Sequence, residues 1–201
     1  MGVPVLVMGE SGSGKSTALR NFEANEIAVF NVASKPLPFR KKLPKIDMAN
    51  YQSIYKGLQS GKSKSYAIDD SQYLLAFDSF ERAGETGYGK FTNMAVSFYN
   101  LIQFVIKQTQ ADTIVYFLHH AEKTDDGRIK AKTLGKMLDN QLTVEGLFSI
   151  VLLCKTDGSR HYFETQSDGS STAKSPMEMF DAEIDNDLKL VDQKIREYWE
   201  L

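Results

Sequence analysis

The residues with the clearest chemical meaning form a glycine-rich run, GESGSGKST, at positions 9–17. The run follows the apolar segment VPVLVM and fits the spacing G-x-x-x-x-G-K-[ST] without a gap. Glycines let successive backbone N–H groups point at phosphate oxygens, and the positive end of a following helix favours the same anion. The run therefore predicts a binding site for nucleotide phosphates. Its predicted members are Gly9, Glu10, Ser11, Gly12, Ser13, Gly14, Lys15, Ser16 and Thr17.

Two members of this run have specific expected roles, because Lys15 would reach the β- and γ-phosphates and Ser16 would bind Mg²⁺. A magnesium site also needs a carboxylate, which the end of a neighbouring strand can supply. The segment SYAIDD ends in two carboxylates, and we assign Asp69 to the metal. Asp70 is expected to orient or deprotonate the attacking water. The alternative is that Asp70 caps a helix or forms a turn.

Two histidines end the next apolar segment, TIVYFLHH. A polar group at this position can sense the γ-phosphate, and we favour His120 over His119, with Glu122 as an orienting partner. The alternative is that both histidines only cap a strand. His161 lies in another segment, and the chain has no Cys/His spacing of the kind that binds zinc, so we expect no transition-metal site.

The elements that must position these groups follow from the pattern of apolar residues. Strands are predicted at 3–8, 27–32, 65–70 and 113–120, and helices at 15–25, 51–59, 93–110 and 133–142. The proline-broken segment 35–45 is predicted to be a loop. Segments 148–154 and 160–166 flank an Asp-Gly turn and predict an antiparallel hairpin. A helix over about 182–200 closes the chain.

Strands that alternate with helices predict an α/β fold, with a mostly parallel sheet between helices and an antiparallel hairpin near the C-terminus. We expect one domain over residues 1–201. Ligands of such sheets bind beyond the carboxyl ends of the strands. The glycine-rich run, the paired aspartates and the paired histidines all follow strands, so they should meet at that edge.

Composition narrows the setting. The single cysteine, Cys154, lies in an apolar run and is predicted to be a buried core residue. No apolar run is long enough to span a bilayer and no secretory signal is visible, so we expect a reducing, cytoplasmic location. Residues 34–64 are basic and residues 178–201 acidic, within a net charge of −2. These segments could bind a polyanion and a partner subunit, or form two solvated surfaces.

The order of these motifs resembles that of RecA-like P-loop ATPases encoded by bacteriophages, including short single-strand-annealing ATPases that assist recombination. The segments that carry the resemblance are the glycine-rich run, IDDSQYL, LHHAE, KTLGKML and IDNDLKLV. The resemblance implies ATP and magnesium as ligands, a homo-oligomer, single-stranded DNA as a partner and a single-strand-binding protein as a further one. It places the protein in the host cytoplasm. The absence of a guanine-selective N-K-x-D motif also favours ATP.

The resemblance further implies that two loops face single-stranded DNA. Cations beside an aromatic side chain suit backbone tracking and base stacking. The alternative is two ordinary exposed loops. The first loop, 78–92, carries Arg82, Lys90 and Phe91, and the second, 121–136, carries Lys123, Arg128, Lys130, Lys132 and Lys136.

Lys174 lies where similar RecA-like proteins place a basic residue that acts across a subunit interface. It would then contact the γ-phosphate held by a neighbouring subunit; the alternative is an exposed lysine. Because the chain begins on the strand of the glycine-rich run, we expect it to lack the N-terminal polymerisation segment of recombinase filaments.

Three functions remain open on this basis. The first is an ATPase that acts on single-stranded DNA during phage recombination or replication. The second is a nucleotide-gated interaction module, such as a loader or accessory factor. The third is a kinase for a nucleoside or another small molecule, which is disfavoured because the chain has no arginine-rich lid between strands.

Overall fold

The computed structural model describes residues 1–87, 89–134, 138 and 142–201. These residues form a nine-stranded sheet with the strand order β3-β2-β4-β5-β1-β7-β8-β9, and β6 pairs with β5. From β3 to β7 in this order each pair of neighbouring strands is parallel, whereas the pairs β7–β8, β8–β9 and β5–β6 are antiparallel. The strands are β1 (Val3–Gly9), β2 (Ile27–Asn31), β3 (Lys45–Asp47), β4 (Ser65–Asp69), β5 (Ile114–Lys123), β6 (Ile129–Ala131), β7 (Ile150–Asp157), β8 (Arg160–Glu164) and β9 (Glu183–Asp185).

Helices cover both faces of the sheet, as predicted. The α-helices are α1 (Tyr51–Gln59), α2 (Gln72–Glu81), α3 (Gly89–Gln108) and α4 (Leu188–Trp199). Helices α1, α2 and α3 pack on one face, and α4 packs on the other together with a 3₁₀-helix at Ser16–Leu19. The expectation of an α/β fold with a mostly parallel central sheet between helices is therefore confirmed.

The central strand β1 shows how the sequence builds two cores. Side chains alternate across a strand, so Val5 and Val7 pack on the face of α4 while Leu6 and Met8 pack on the face of α3. All four are fully buried because parallel strands β5 and β7 flank β1 on either side. The continuous apolar run before the glycines is thus explained by burial on both faces.

The predicted hairpin near the C-terminus is confirmed. Strands β7 and β8 pair in the antiparallel sense from Leu153 and Glu164 to Asp157 and Arg160. Gly158 has a φ of +59°, which lies in the left-handed region that favours glycine in such a turn.

The predicted helix at 15–25 is wrong in length. Only Ser16–Leu19 are helical, and the helix is of the 3₁₀ type. The helix dipole that was expected to favour phosphate is correspondingly smaller, because it grows with the number of aligned peptide units.

The C-terminal helix begins later than the predicted residue 182. Residues Glu183–Asp185 form the edge strand β9, which pairs with β8. The side chain of Asp187 then accepts hydrogen bonds from the backbone N–H groups of Lys189 and Leu190, and this cap begins α4 at Leu188.

Two predicted loops contain regular structure. The loop over 78–92 is irregular only between the end of α2 and the start of α3, within the described residues. The loop over 121–136 contains the end of β5 and strand β6, which form a hairpin.

Helix α1 matches its prediction, and 35–44 is free of helix and strand. The helix predicted over 133–142 lies largely outside the described residues.

Candidate nucleotide-binding site

The glycine-rich loop follows β1 directly, and two of its glycines are there for steric reasons. At Gly9 an added Cβ would lie 2.5 Å from Oγ of Ser13 and 2.8 Å from the carbonyl oxygen of Cys154. Gly14 has a φ of +103°, and a Cβ there would lie 2.9 Å from Nδ1 of His161. The loop therefore needs glycine at both positions, for close packing and for a backbone conformation that other residues adopt at a cost.

Side chains from the C-terminal hairpin support this loop from beneath. The thiol of Cys154 donates a hydrogen bond of 3.0 Å to the carbonyl oxygen of Ser13, and Nδ1 of His161 lies 2.8 Å from the same oxygen. Burial raises the pKa of the Cys154 thiol to about 11, so it stays protonated and unreactive. Cys154 is buried, as predicted, while the contact of His161 with the loop was not anticipated.

Lys15 is folded back over its own loop. Its ammonium group donates 2.8 Å hydrogen bonds to the carbonyl oxygens of Gly9 and Glu10, and only 6% of the residue is exposed. Burial lowers the pKa of Lys15, although Cys154 and the nearby carboxylates oppose this shift. An ammonium group has three N–H donors, so a phosphate contact can use the third donor or replace one of these carbonyl oxygens.

Ser16 and Asp69 lie together, although they are far apart in the chain. Oγ of Ser16 donates a 2.6 Å hydrogen bond to Oδ1 of Asp69 at the end of β4. Burial raises the pKa of Asp69, and the hydrogen bond from Ser16 opposes the rise. A hydroxyl and a carboxylate oxygen are ligands that Mg²⁺ accepts, usually together with water and substrate phosphates. The residues present therefore fit the predicted metal.

Within the described residues, no group of three or more His, Cys, Asp or Glu side chains could hold a metal ion without help. Binding of Mg²⁺ at Ser16 and Asp69 would thus depend on oxygen atoms from the nucleotide and from water.

Asp70 adopts an unusual backbone conformation between two polar partners. Its φ is +60°, in the left-handed region that is uncommon for a residue with a side chain. Oδ1 lies 3.2 Å from Nε2 of His120, and Oδ2 lies 2.8 Å from Nζ of Lys35. Burial acts to raise the pKa of Asp70, but the hydrogen bonds with His120 and Lys35 outweigh it and hold the pKa below its usual value. The carboxylate is therefore ionised and engaged on both oxygens.

The two adjacent histidines have different surroundings. His119 is fully buried; its Nδ1 lies 2.9 Å from Oγ of Ser71 and its Nε2 lies 2.8 Å from the carbonyl oxygen of Lys132. Burial lowers the pKa of His119 to about 4, so the ring is neutral. His120 instead faces the cleft beside Asp70 and pairs in register with Gly9. Strand β5 continues past both histidines to Lys123, so they do not end the strand.

A cleft of about 390 Å³ collects most of these groups. Gly9, Glu10 and Ser13 belong to the loop but do not line the cleft. Lys35, Pro36, Pro38 and His161 line it and were not predicted as site residues. Among the residues that the structure describes, the lining consists of Ser11, Gly12, Gly14, Lys15, Ser16, Thr17, Lys35, Pro36, Pro38, Asp69, Asp70, His120 and His161.

The predicted DNA-contacting residues of the first loop already have partners in this chain. The guanidinium group of Arg82 donates to both carboxylate oxygens of Glu85, at 2.9 and 2.8 Å. Nζ of Lys90 lies 5.2 Å from the ring centroid of Phe91, which packs against the core. Lys90 and Phe91 belong to α3. The arrangement brings one cation, Lys90, beside the ring of Phe91, and the ring also packs against the core.

The second predicted DNA loop is a hairpin with mixed charge. Lys130 forms a 3.3 Å ion pair with Glu122, and Arg128 donates to the carbonyl oxygen of Ser171. Lys123 and Lys132 are exposed. Lys136 lies outside the described residues.

Lys174 does not line the cleft of about 390 Å³ in its own chain. Its backbone N–H and C=O groups both pair with Val151 near the start of β7, at 2.9 and 2.8 Å. The carboxyl end of β7, rather than its start, lies beside the glycine-rich loop. Its predicted contact with a neighbouring subunit stays a prediction.

A second, larger cleft of about 670 Å³ lies beside the first, between α2 and the segments that follow β2 and β3. Its walls include Tyr51, Tyr73 and Phe77, with the carboxylates of Asp78 and Glu81 at the same cleft. Tyr73 also contacts the first cleft, because its ring lies 5.4 Å from that of His120 and 5.0 Å from Nζ of Lys35.

In the described part of the chain, no helix combines the length and the apolar character needed to cross a membrane. No protein-family model matches the sequence, and no curated protein matches it.

Proposed function

We propose that this protein is a magnesium-dependent ATPase of RecA-like type that acts on single-stranded DNA during phage recombination or replication. One observation supports the nucleotide site above all others. The hydroxyl of Ser16, the residue after the loop lysine, lies 2.6 Å from the carboxylate that ends β4. A run with the spacing of phosphate-binding loops and a buried carboxylate thus meet at one cleft, which supports binding of a magnesium-bound triphosphate.

The triphosphate would lie against Gly12, Gly14, Lys15 and Thr17, which line the cleft. Backbone N–H groups of the loop and the ammonium group of Lys15 would stabilise negative charge on the phosphates. Ser16 and Asp69 would hold Mg²⁺, which, when bound, neutralises phosphate charge and makes the γ-phosphorus more electrophilic.

Hydrolysis then needs a water molecule placed in line with the bond to the leaving diphosphate. The water oxygen forms a bond to the γ-phosphorus, the bond from phosphorus to the bridging oxygen breaks, and its electron pair remains on the diphosphate. Asp70 is the candidate to orient this water and accept its proton, and His120 is the candidate to sense the γ-phosphate. Each oxygen of Asp70 has one hydrogen-bond partner, and a carboxylate oxygen can accept a second, so the water would share an oxygen with His120 or Lys35 or replace one of them.

The DNA part of the proposal is supported by the resemblance and by cations near the cleft edge. Exposed Lys123 ends β5, the strand that contains His120, and exposed Lys132 follows β6 and donates its backbone N–H to the carbonyl oxygen of His120. We propose that the protein acts as a homo-oligomer, with Lys174 directed at the γ-phosphate of the neighbouring subunit, and that a single-strand-binding protein is a further partner. Phosphate contacts release counterions, so DNA binding should weaken steeply as salt rises.

The test is steady-state ATP hydrolysis with and without single-stranded DNA, at several salt concentrations. We expect magnesium-dependent hydrolysis that DNA stimulates, with the stimulation lost at high salt. Lys15→Ala should abolish the thermal stabilisation by nucleotide. Absence of both nucleotide binding and hydrolysis in the wild-type protein would contradict the proposal.

The second cleft favours one alternative, a nucleotide-gated interaction module. Met48 and Phe77 at this cleft are 79% and 41% exposed, and exposed apolar groups beside a site are typical of contact surfaces. Hydrolysis that is insensitive to DNA but changes with a protein partner would support this alternative. Transfer of phosphate to an acceptor other than water would instead indicate a kinase.

A further inference from the structure

Lys35 occupies the nucleotide cleft although no phosphate-binding motif includes it. It lies in the segment that follows β2 and lines the cleft together with Lys15 and Ser16. Its ammonium group lies 2.8 Å from Oδ2 of Asp70 and 5.0 Å from the ring centroid of Tyr73. Even so, 58% of its side chain is exposed to solvent. The ammonium group is therefore held at the cleft but remains within reach of a ligand.

The charges that line the cleft explain why a triphosphate would need a second lysine. In the described part of the chain, the lysines that line the cleft are Lys15 and Lys35, and the carboxylates are Asp69 and Asp70. Without ligand these groups balance each other. A triphosphate adds several negative charges, of which the γ-phosphate carries the most. The γ-phosphate then attracts the ammonium group of Lys35 more strongly than Asp70 does. The carboxylate of Asp70 carries less charge, and His120 also binds it.

The backbone of Lys35 is anchored, so the expected movement is confined to its side chain. Nδ2 of Asn31 donates a 2.8 Å hydrogen bond to the carbonyl oxygen of Lys35 and a 2.6 Å hydrogen bond to Asp47. The following residue, Pro36, restricts Lys35 to extended backbone conformations. A long side chain on a fixed backbone can exchange one anion for another by rotation about its own bonds.

We propose that Lys35 binds the γ-phosphate of a nucleotide held by the same chain, and that it leaves Asp70 when it does so. This inference rests on the proposed nucleotide site. Lys15 and Lys35 then both contact the triphosphate, whereas a diphosphate engages Lys15 alone. The carboxylate of Asp70 keeps His120 as its partner and has one oxygen free for the attacking water. Binding of a triphosphate thereby also prepares the residue that activates the water.

The test compares Lys35→Ala with the wild-type protein in the binding of ADP and of a non-hydrolysable ATP analogue, both with magnesium, by calorimetry without DNA. We expect the affinity for the analogue to fall about 10- to 100-fold, the range of a hydrogen bond between charged groups. The affinity for ADP should stay within about twofold. Lys35→Arg should recover part of the loss, because it restores the charge.

Lys42→Ala is the matched control. Lys42 is an exposed lysine of the same basic segment and does not line the cleft. It should leave both affinities unchanged. A residue that only held Asp70 in place would instead alter kcat without changing the ratio of the two affinities. Circular dichroism without nucleotide checks that each variant is folded.

The outcomes separate this inference from the proposed function. If the wild-type protein binds neither nucleotide, the proposed nucleotide site is wrong. If the wild-type protein binds and hydrolyses ATP while Lys35→Ala keeps the wild-type ratio of affinities, the site stands and the role of Lys35 is overturned.

Discussion

The two ends of strand β4 each hold a buried carboxylate, and the two carboxylates have very different surroundings. At the N-terminal end, Asp192 of α4 accepts hydrogen bonds from Ser65, Tyr116 and Arg196. At the carboxyl end, Asp69 accepts a hydrogen bond from Ser16. Asp192 is 4% exposed and Asp69 is 6% exposed, so burial does not distinguish them.

The difference lies in how fully the charge is compensated. Arg196 supplies a positive charge to Asp192 within 2.7 Å, and two hydroxyls occupy the other oxygen. Burial raises the pKa of Asp69, which means that the fold disfavours its charge. Among the described residues Asp69 forms no ion pair, and a buried carboxylate of this kind is suited to receive a cation, whereas a fully bonded carboxylate is suited to hold elements together.

The largest expected effect is that of Asp69→Asn, which tests the carboxyl end. Hydrolysis should fall at least about 100-fold, because in the proposed mechanism Asp69 holds Mg²⁺, and loss of the metal removes several kcal/mol of transition-state stabilisation. The free energy of unfolding without nucleotide should stay the same or rise, since burial already penalises the charge of Asp69. Steady-state kinetics and urea unfolding measure the two effects. Asp125→Asn, at an exposed acid, is the control. Hydrolysis within a few-fold of wild type would contradict the assignment.

At the N-terminal end of β4, Asp192→Ala should lower stability and leave nucleotide binding unchanged, which is the reverse of the effect expected for Asp69→Asn. The variant leaves the guanidinium group of Arg196 and the phenol of Tyr116 without their carboxylate, which should lower the free energy of unfolding by about 3 kcal/mol. Nucleotide affinity should not change. Urea unfolding and nucleotide titration report the two quantities. Glu197→Ala on the same helix removes a mostly exposed acid and should cost less than about 0.5 kcal/mol. If Asp192→Ala and Glu197→Ala lowered the free energy of unfolding equally, Asp192 would have no special structural role at the N-terminal end of β4.

His119 lies beside the cleft, yet it resembles Asp192 because its polar atoms are fully hydrogen-bonded. Complete bonding, rather than distance from the cleft, therefore separates a structural polar group from one suited to bind a ligand. His119 precedes His120 yet is fully buried and bonded through both ring nitrogens. Its pKa is lowered from 6.5 to about 4, so below pH 6.5 the unfolded chain binds a proton that the folded chain does not. The free energy of unfolding is therefore highest above pH 6.5 with respect to this group. It falls as the pH drops from 6.5 towards 4, by up to about 3 kcal/mol.

This pH dependence can be measured by urea unfolding between pH 7.5 and 4.5, in comparison with His119→Gln. The variant should be less stable at pH 7.5 but should lose less stability as the pH falls. Identical pH profiles for the two proteins would show that His119 does not titrate in this way.

The carboxyl end of β4 could be predicted from the sequence, and the other end could not. The glycine-rich run is contiguous, and Asp69 ends a recognisable apolar segment, so local patterns place both at the same sheet edge. Ser65 and Asp192 are 127 residues apart, and neither lies in a pattern that indicates the other. Their contact depends on how α4 packs across the sheet, which is a property of the folded chain.

Similar reasons explain the other differences between the predictions from sequence and the structure. Lys35 reaches the cleft because Asn31 anchors its backbone, and a proline-rich loop gives no periodic signal for such a contact. Strand β9 has only three residues, too few for alternation to be visible, so the helix was predicted to begin at 182 instead of Leu188. The single sheet and its parallel centre followed correctly from longer apolar segments, whose burial on both faces is visible in the sequence.

The smallest expected effect is that of Arg196→Lys, which asks whether charge alone makes the N-terminal end of β4 complete. The guanidinium group donates to Asp192, to the carbonyl oxygens of Asp112 and Lys64, and to Oγ of Ser65. An ammonium group keeps the charge but cannot reach this spread of acceptors. The free energy of unfolding should therefore fall by about 1 kcal/mol, which is less than for Asp192→Ala. Lys194→Arg, at an exposed site on the same helix, is the control and should change stability by less than about 0.5 kcal/mol. A loss as large as that of Asp192→Ala would mean that hydrogen-bond geometry, and not charge compensation, makes this end of β4 structural.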